Sequence, residues 1–272
     1  MNRRGLTIVE VLVVIVILGI LASMAIPSLQ QVSSATQRTH CRNNLKQLAR
    51  AAALFAIERD GRFPPGLLYG SNRNALSGDV RAWDWQTTAS GHVRPGELWT
   101  YTDRGGESKV LQCPTAEHEL ASWTDDPTTG YNYNVAFVAA ESRVPTSADA
   151  KKGAWDLVTE KANLDGMREL TLAQCHRSGT TALFGTGGRL GGVNKFMRSP
   201  VNVGAGYDTA YAGVQSFPDG RTNIAWIDGH VTTQHHAHQG QHFDDLPSWL
   251  TDSLEWPKNG FLSNDARSYD PR

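Results

Sequence analysis

Residues 1–27 read MNRRGLTIVEVLVVIVILGILASMAIP. Two arginines and a glycine precede an apolar run from Leu6 to Ile26, whose single ionisable residue is Glu10, and the next ionisable residue is Arg38. About 21 residues with a rise of about 1.5 Å each span about 30 Å, the thickness of the hydrocarbon core of a bilayer. The stretch therefore predicts a membrane-spanning helix over residues 6–27. The basic residues before it predict a cytoplasmic N-terminus, with the rest of the chain outside the inner membrane.

The position of Glu10 within this run leaves two interpretations open. An acidic residue inside a spanning segment is rare and usually has a partner and a function. Alternatively, Glu10 lies close enough to the membrane surface to stay hydrated. A cleaved secretory signal fits less well, because the apolar run exceeds the usual core of about 7–15 residues and only a weak small-residue pattern at 21–25 closes it.

Residues 4–10, RGLTIVE, resemble the prepilin signature of type IV pilins and type II secretion pseudopilins. The resemblance implies that 1–5 form a leader, that a prepilin peptidase cuts after Gly5, and that the new N-terminal residue, Leu6, is methylated. Most members have Phe at that position. Glu10 would then be the fifth mature residue and would set the axial register between subunits by pairing with a neighbour's α-amine, since a lone buried charge is costly. Pro27 matches the helix-kinking proline of the family.

The pattern of residues 28–60 predicts that the helix continues as an amphipathic helix into the rest of the chain. One face carries apolar residues at steps of four and three, the spacing of a helical face: Cys41, Leu45, Leu48, Ala52 and Phe55. A second series steps by four and forms a basic ridge that is either solvated or meets acidic subunit surfaces or lipid headgroups: Arg38, Arg42, Lys46 and Arg50. Gly61 is the predicted C-cap.

The remaining residues, 61–272, are called the head here and predict a single loop-rich β domain. The chain has 26 glycines, eight tryptophans and a net charge of −1, which gives no indication of nucleic-acid binding. Strands are predicted at 131–138 and 180–184, and a two-residue Asp228-Gly229 loop predicts a hairpin between 222–227 and 230–233. The expected fold class is α+β: a long N-terminal transmembrane helix packed on a mostly antiparallel β head, as in pilins.

Five segments of the chain resemble, in order, a class of large pilin-like proteins named for an H-x9-DG motif. They are 41–48, 61–66, 113–114, 131–134 and 223–231. Asp228 and Gly229 supply the DG pair, whereas Pro218 stands where the class has histidine. The resemblance implies a strand, a DG turn and a second strand near the C-terminus.

The cysteine count predicts one disulfide in a head that lies outside the cytoplasm. The favoured pair is Cys41 with Cys113, which would tie the helix to the head. Cys113 with Cys175, or three reduced thiols, are the alternatives. Either pairing leaves one thiol over.

A late histidine cluster raises the possibility of a metal site. His236 and His238 would share one face of a strand, and His242 would complete three ligands for zinc, although an exposed polar segment explains the same pattern. The resemblance to secretion pseudopilins makes calcium the other candidate, with oxygens from Asp244, Asp245 and Asp265, yet the spacing of a calcium loop is absent. The glycine-rich stretch 185–192 lacks the residues of a phosphate loop and is expected to be a surface loop.

The sequence contains no catalytic motif, so an enzyme is not expected. The hypothesis is a pilin-like or pseudopilin subunit of a type IV filament or type II secretion system. Its partners would be the prepilin peptidase, an inner-membrane assembly platform, membrane lipid, and copies of itself or sister pilins. The assembled filament would lie in the periplasm or outside the cell. Two alternatives remain: a membrane-anchored envelope binding protein that does not polymerise, and an anchored metal-dependent enzyme built on the late histidines.

Overall fold

The computed structural model describes residues 7–69, 80–88, 90, 92–102, 112–114, 129–139, 170–187, 195–197, 199–200, 214–215, 221–235, 238–240, 252, 256 and 259–272. One helix, α1, runs unbroken from Ile8 to Glu58. The continuous helix predicted across the apolar run and the amphipathic stretch is therefore confirmed in these residues.

The second half of α1 packs against the head through the predicted apolar face. Cys41, Leu45, Leu48 and Ala52 are completely buried, and Phe55 is nearly so. On the basic ridge Arg38 is half-buried, whereas Arg42, Lys46 and Arg50 are exposed.

The C-terminal end of α1 differs by one residue from the prediction. Asp60 takes the left-handed conformation with φ 55°, and Gly61 follows it with φ 80°. The Gly61 amide donates to the Ala56 carbonyl at 2.8 Å, the bond that closes a Schellman-type helix end. The left-handed conformation thus begins at Asp60, one residue before the predicted Gly61.

The head contains three sheets in its described part. β1 (Leu67–Tyr69), β2 (Val80–Ala82), β3 (Trp85–Thr87) and β4 (Val93–Pro95) form an antiparallel meander, which a 3-10 helix at Glu97–Tyr101 follows. The central sheet has the order β10-β9-β6-β5-β7, built from β5 (Tyr131–Asn134), β6 (Ala182–Thr186), β7 (Phe196–Met197), β9 (Arg221–Trp226) and β10 (Val231–His235). β8 (Val214–Gln215) pairs with β11 (Asn259–Gly260).

All strand pairings among the described residues are antiparallel except that of β5 with β7. α1 lies against the central sheet, where it contacts β9, β6 and β10, and it also contacts the 3-10 helix at Glu97–Tyr101. The expected α+β class and the mostly antiparallel head are confirmed.

The buried side chains form two clusters, and each includes residues of the central sheet. The larger one contains the buried face of α1 together with the aromatic residues Trp83, Trp99, Tyr133 and Phe184. The smaller one is formed with the C-terminal segment, whose Phe261, Leu262 and Tyr269 are buried. Sequence patterns gave no indication that the last residues would complete a core.

The strand predicted at 131–138 ends early, at Asn134. The Asn134 carboxamide oxygen accepts hydrogen bonds from the amides of Ala136 and Phe137 at 3.2 and 3.3 Å. Asparagine side chains that bond the backbone two residues on replace ladder hydrogen bonds by a turn. The apolar residues that follow are buried in this turn instead of in a strand.

The predicted hairpin is present, with a longer loop than expected. Trp226 and His230 are joined by a backbone bond of 3.0 Å, and the Gly229 amide donates to the Trp226 carbonyl at 2.9 Å. Gly229 has φ 89°, which fits a type I turn closed by a left-handed glycine. The loop therefore has three residues, with Asp228 and Gly229 in its second half. Pro218 lies outside the described residues.

Candidate functional site

The N-terminal half of α1 carries apolar side chains all around the helix. The large apolar residues between Ile8 and Ile26 are 48 to 81 % exposed in the single chain. A helix that is apolar on every side is stable only when other apolar surface covers it. Within the described residues, none of the helices meets the length and apolarity needed to cross a membrane.

The first turn of α1 is closed by a capping box formed by Thr7 and Glu10. The Glu10 carboxylate accepts from both the backbone amide and the hydroxyl of Thr7, each at 2.8 Å. The Glu10 amide in turn donates to the Thr7 hydroxyl at 3.3 Å. The signal was present in the sequence as Thr-x-x-Glu immediately before an apolar run, but the sequence analysis missed it. Gly5 and Leu6 lie outside the described residues.

Pro27 lies inside α1 without ending it. A proline has no amide hydrogen, so position 27 gives no hydrogen bond to the carbonyl four residues earlier. A bend at Pro27 stays a prediction.

The structure brings Cys41 and Cys113 together. Their sulfur atoms are 2.7 Å apart, and both residues are buried. No disulfide bond joins any of the three cysteines, all of which the structure describes. Cys175 is half-buried and its thiol faces the Thr171 carbonyl at 3.5 Å; burial raises the pKa of the Cys175 thiol to about 11.

The predicted metal ligands are not brought together in the described part of the chain. His238 forms an isolated backbone bridge with Phe261, while His236, His242, Asp244 and Asp245 lie outside the described residues. Among the residues that are described, no group of three or more histidine, cysteine, aspartate or glutamate side chains has an arrangement that would hold a metal ion.

Asp265, the remaining calcium candidate, is engaged by a neighbour. Its carboxylate accepts three hydrogen bonds of 2.8 to 3.0 Å from the Arg267 guanidinium, and these bonds lower the pKa of Asp265. His230, another histidine late in the chain, places Nδ1 2.5 Å from the Asp228 carboxylate and stacks on Trp226.

A cleft of about 510 Å³ lies where α1 ends against the meander. Its walls include charged side chains of both signs. Arg59 lies over the Phe55 ring at 5.1 Å and approaches Glu97 at 3.7 Å, and the Tyr101 hydroxyl donates to Glu58 at 2.7 Å. These contacts join the end of α1 to the 3-10 helix.

Comparison with known proteins bears on the N-terminal part of the chain. Residues 1–26 match the family model described as the prokaryotic N-terminal methylation motif. The chain is 34 % identical over 88 residues to the type IV major pilin protein PilA of Myxococcus xanthus (strain DK1622). That match covers 29 % of this chain and 40 % of the pilin, so the chain spans well under two thirds of the curated relative. No solved structure gives a significant match.

In its N-terminal helix and motif the chain is similar to one class of proteins, the type IV pilins. Within that class, the methylation motif covers residues 1–26, the segment in which the sequence had placed the cleavage glycine and Glu10. The resemblance to pilins and pseudopilins drawn from residues 4–10 is thereby confirmed.

Proposed function

We propose that the chain is a structural, non-enzymatic subunit of a type IV filament. The observation that carries the proposal is the division of α1 into two halves. The first half exposes apolar side chains all around, and the second buries one face against the head. In solution such a first half is unstable, since so large an apolar surface requires a partner.

Two successive environments satisfy this requirement in the proposal. Before assembly the first half lies in the inner membrane as a single pass, with the N-terminus in the cytoplasm and the head outside. After assembly the same half lies among the helices of neighbouring subunits, in a filament in the periplasm or outside the cell. The partners are membrane lipid, an inner-membrane assembly platform, and copies of this chain or sister pilins.

Maturation is the second element of the proposal. A prepilin peptidase cleaves after Gly5 and methylates Leu6, which the match of residues 1–26 to the methylation motif supports. Cleavage creates a charged α-amine at the end of an apolar helix. Glu10 of a neighbouring subunit then neutralises that amine and fixes the axial register, because an isolated charge in apolar surroundings is costly while a pair is tolerated.

The single chain shows what Glu10 does before such a partner is present. Its carboxylate is held by Thr7 of the same helix. Assembly in this scheme exchanges or supplements those bonds with one to a neighbour's amine. The relative is a type IV major pilin, which favours a type IV pilus over a type II secretion pseudopilus as the particular filament.

The test is the intact mass and N-terminal sequence of the protein isolated from its native membrane. We expect an N-terminus at Leu6 carrying one methyl group. A Gly5→Glu variant is expected to keep residues 1–5, whereas Gly19→Ala, a change at a helix position with no neighbouring atom within 4 Å of the added carbon, is expected to mature normally. An N-terminus at Met1, or one beyond Ala25, in the unaltered protein would contradict the proposal.

A further inference from the structure

Two sulfur atoms from distant parts of the sequence lie close together where α1 meets the head. Cys41 Sγ and Cys113 Sγ lie 2.7 Å apart although the residues are 72 positions apart in sequence. Both residues are buried, with exposed fractions of 0 and 1 %. Cys41 is also the first buried position along α1 among those whose side chains the structure describes.

Two hydrogen bonds hold the peptide unit that joins Gln112 to Cys113. The Asn44 side-chain amide, one turn along α1 from Cys41, donates to the Gln112 carbonyl at 2.9 Å. The Cys113 amide donates to the Thr129 carbonyl at 2.8 Å. Since these contacts place the cysteine backbones before any bond forms between the sulfurs, a cross-link requires little movement of the chain.

The surroundings of the two sulfurs are apolar. The completely buried Tyr131 lies beside them, and the pKa of its phenol is raised by burial and by the adjacent Cys113 and Cys41. A disulfide is uncharged and suits such a site. Once formed there, it is shielded from reductants.

The third cysteine has a different setting. Cys175 faces the Thr171 carbonyl, and its raised pKa leaves little of the reactive thiolate at neutral pH. It therefore serves as an internal control for thiol chemistry in the same chain.

We propose that Cys41 and Cys113 form an intrachain disulfide that locks α1 onto the head at the point where the helix first becomes buried. The two thiols lose two protons and two electrons, and one S–S bond forms. The electrons pass to the disulfide of an exported thiol–disulfide oxidoreductase, which becomes a dithiol. In the cell the reaction rests on the proposed function, because it requires the head to be outside the cytoplasm.

The consequence of the cross-link is mechanical. Force on the exposed half of α1 reaches the head at Cys41 before it reaches Leu45 or Leu48. With the bond in place the helix cannot separate from the head from its N-terminal side, because the load passes through a covalent link to Cys113.

The test is peptide mapping under non-reducing conditions of the full chain purified from its membrane, with thiols alkylated in denaturant before digestion so that every unpaired cysteine reacts. We expect a linked peptide containing Cys41 and Cys113, and alkylated Cys175. Cys41→Ser and Cys113→Ser should each abolish the linked peptide, while the matched control Cys175→Ser should retain it. Alkylation of both Cys41 and Cys113 in protein that begins at Leu6, or a link that involves Cys175, would overturn the proposal.

A second arm separates this inference from the proposed function. The full chain is unfolded, then refolded in detergent with a mixture of reduced and oxidised glutathione. Formation of the same link in a chain that is never processed in the cell would support the disulfide while the filament assignment fails. Absence of the link after refolding to native tryptophan fluorescence would reject the disulfide regardless of where the protein resides.

Discussion

The side-chain amide of Asn134 donates to the carbonyl of Tyr269 at 2.9 Å, across 135 positions of sequence. The same amide donates to the Ala182 carbonyl at 2.8 Å, so one buried side chain holds the end of β5, the start of β6 and the C-terminal segment together. The Tyr269 hydroxyl in turn accepts from the Leu262 amide at 2.8 Å. The C-terminal segment is thus an integral part of the head's second core.

Replacing Asn134 by alanine should destabilise the head. The change leaves two buried carbonyls and two turn amides without this partner, and each unsatisfied buried group costs about 1–3 kcal/mol. We expect the free energy of unfolding to fall by about 3 kcal/mol, measured by denaturant titration of the full chain in detergent with tryptophan fluorescence. Asn43→Ala, an exposed asparagine on α1, is the control and should change little. Equal stability of the two variants would contradict the assigned role of Asn134.

The buried ion pair between Lys195 and Asp84 gives a second prediction. The nitrogen and oxygen are 3.3 Å apart, with side chains 5 and 0 % exposed. Lys195→Met should cost about 3–5 kcal/mol, because it leaves the Asp84 carboxylate buried without its countercharge. The double variant Asp84→Leu with Lys195→Met should recover part of that loss, as a double-mutant cycle measures.

The surface pair of Arg267 with Asp265 is the matched control for this experiment. Its members are 71 and 38 % exposed, and exposed pairs contribute little because water and salt screen them. Arg267→Met should leave the unfolding free energy nearly unchanged. If Lys195→Met lowers the unfolding free energy as little as Arg267→Met does, the expected cost of leaving the Asp84 carboxylate without its countercharge is wrong.

The stability of the protein at alkaline pH should depend on the Cys175 thiol. Burial raises the pKa of its thiol from 9.0 to about 11 in the folded protein, so between these values the folded state binds more protons than the unfolded state. The contribution of this group to stability is therefore fully present below pH 9 and is lost as pH rises towards 11. Because the residue is only half-buried, we expect the loss to be about 1 kcal/mol. The measurement is the difference in unfolding free energy between the unaltered protein and Cys175→Ser at several pH values. The tyrosines titrate in both proteins, so the difference reports on the Cys175 thiol alone. A difference that does not change with pH would contradict the raised pKa of Cys175.

Gly96 lies at the junction of β4 and the 3-10 helix, where the surrounding backbone leaves no room for a side chain. A Cβ there would lie 2.7 Å from the Trp83 carbonyl oxygen and 2.9 Å from that of Ala82. Both are backbone atoms, so the strands must shift. We expect Gly96→Ala to lose about 1–3 kcal/mol, whereas Gly19→Ala has open space around the added carbon and should lose nothing. Comparable thermal unfolding of the two variants would contradict the packing at Gly96.

Glu10→Gln separates the charge of Glu10 from its capping role. Glutamine at the third helical position still completes a capping box with Thr7, so the start of α1 should be preserved while the carboxylate is lost. We expect the yield of filaments recovered by shearing and sedimentation to fall at least about tenfold, because the neighbour's α-amine loses its countercharge. Glu58→Gln, at the other end of the same helix, should assemble normally. Normal assembly of the Glu10 variant would mean that register does not depend on its charge.

The sequence by itself determined the helix and its two halves. The apolar run, the four-and-three spacing from Cys41 to Phe55, and the motif at residues 4–10 are local patterns, and they act through the helical period and the chemistry of side chains close in sequence. The Asp228-Gly229 turn is likewise local, because a left-handed glycine permits it wherever it occurs. The capping box of Thr7 and Glu10 was readable in the same way.

The tertiary structure alone decided which distant residues meet. No periodic pattern indicates that Lys195 would neutralise Asp84 or that Tyr269 would complete a core with Asn134, since these partners lie far apart in sequence and are selected by the packing of whole strands. The early end of β5 has the same origin: the Asn134 side chain is fixed by groups from β6 and the C-terminus, and it then bonds the next amides into a turn. The sequence favoured the pairing of Cys41 with Cys113 but left other pairings of the three cysteines open. The packing of α1 on the head places those two sulfurs 2.7 Å apart.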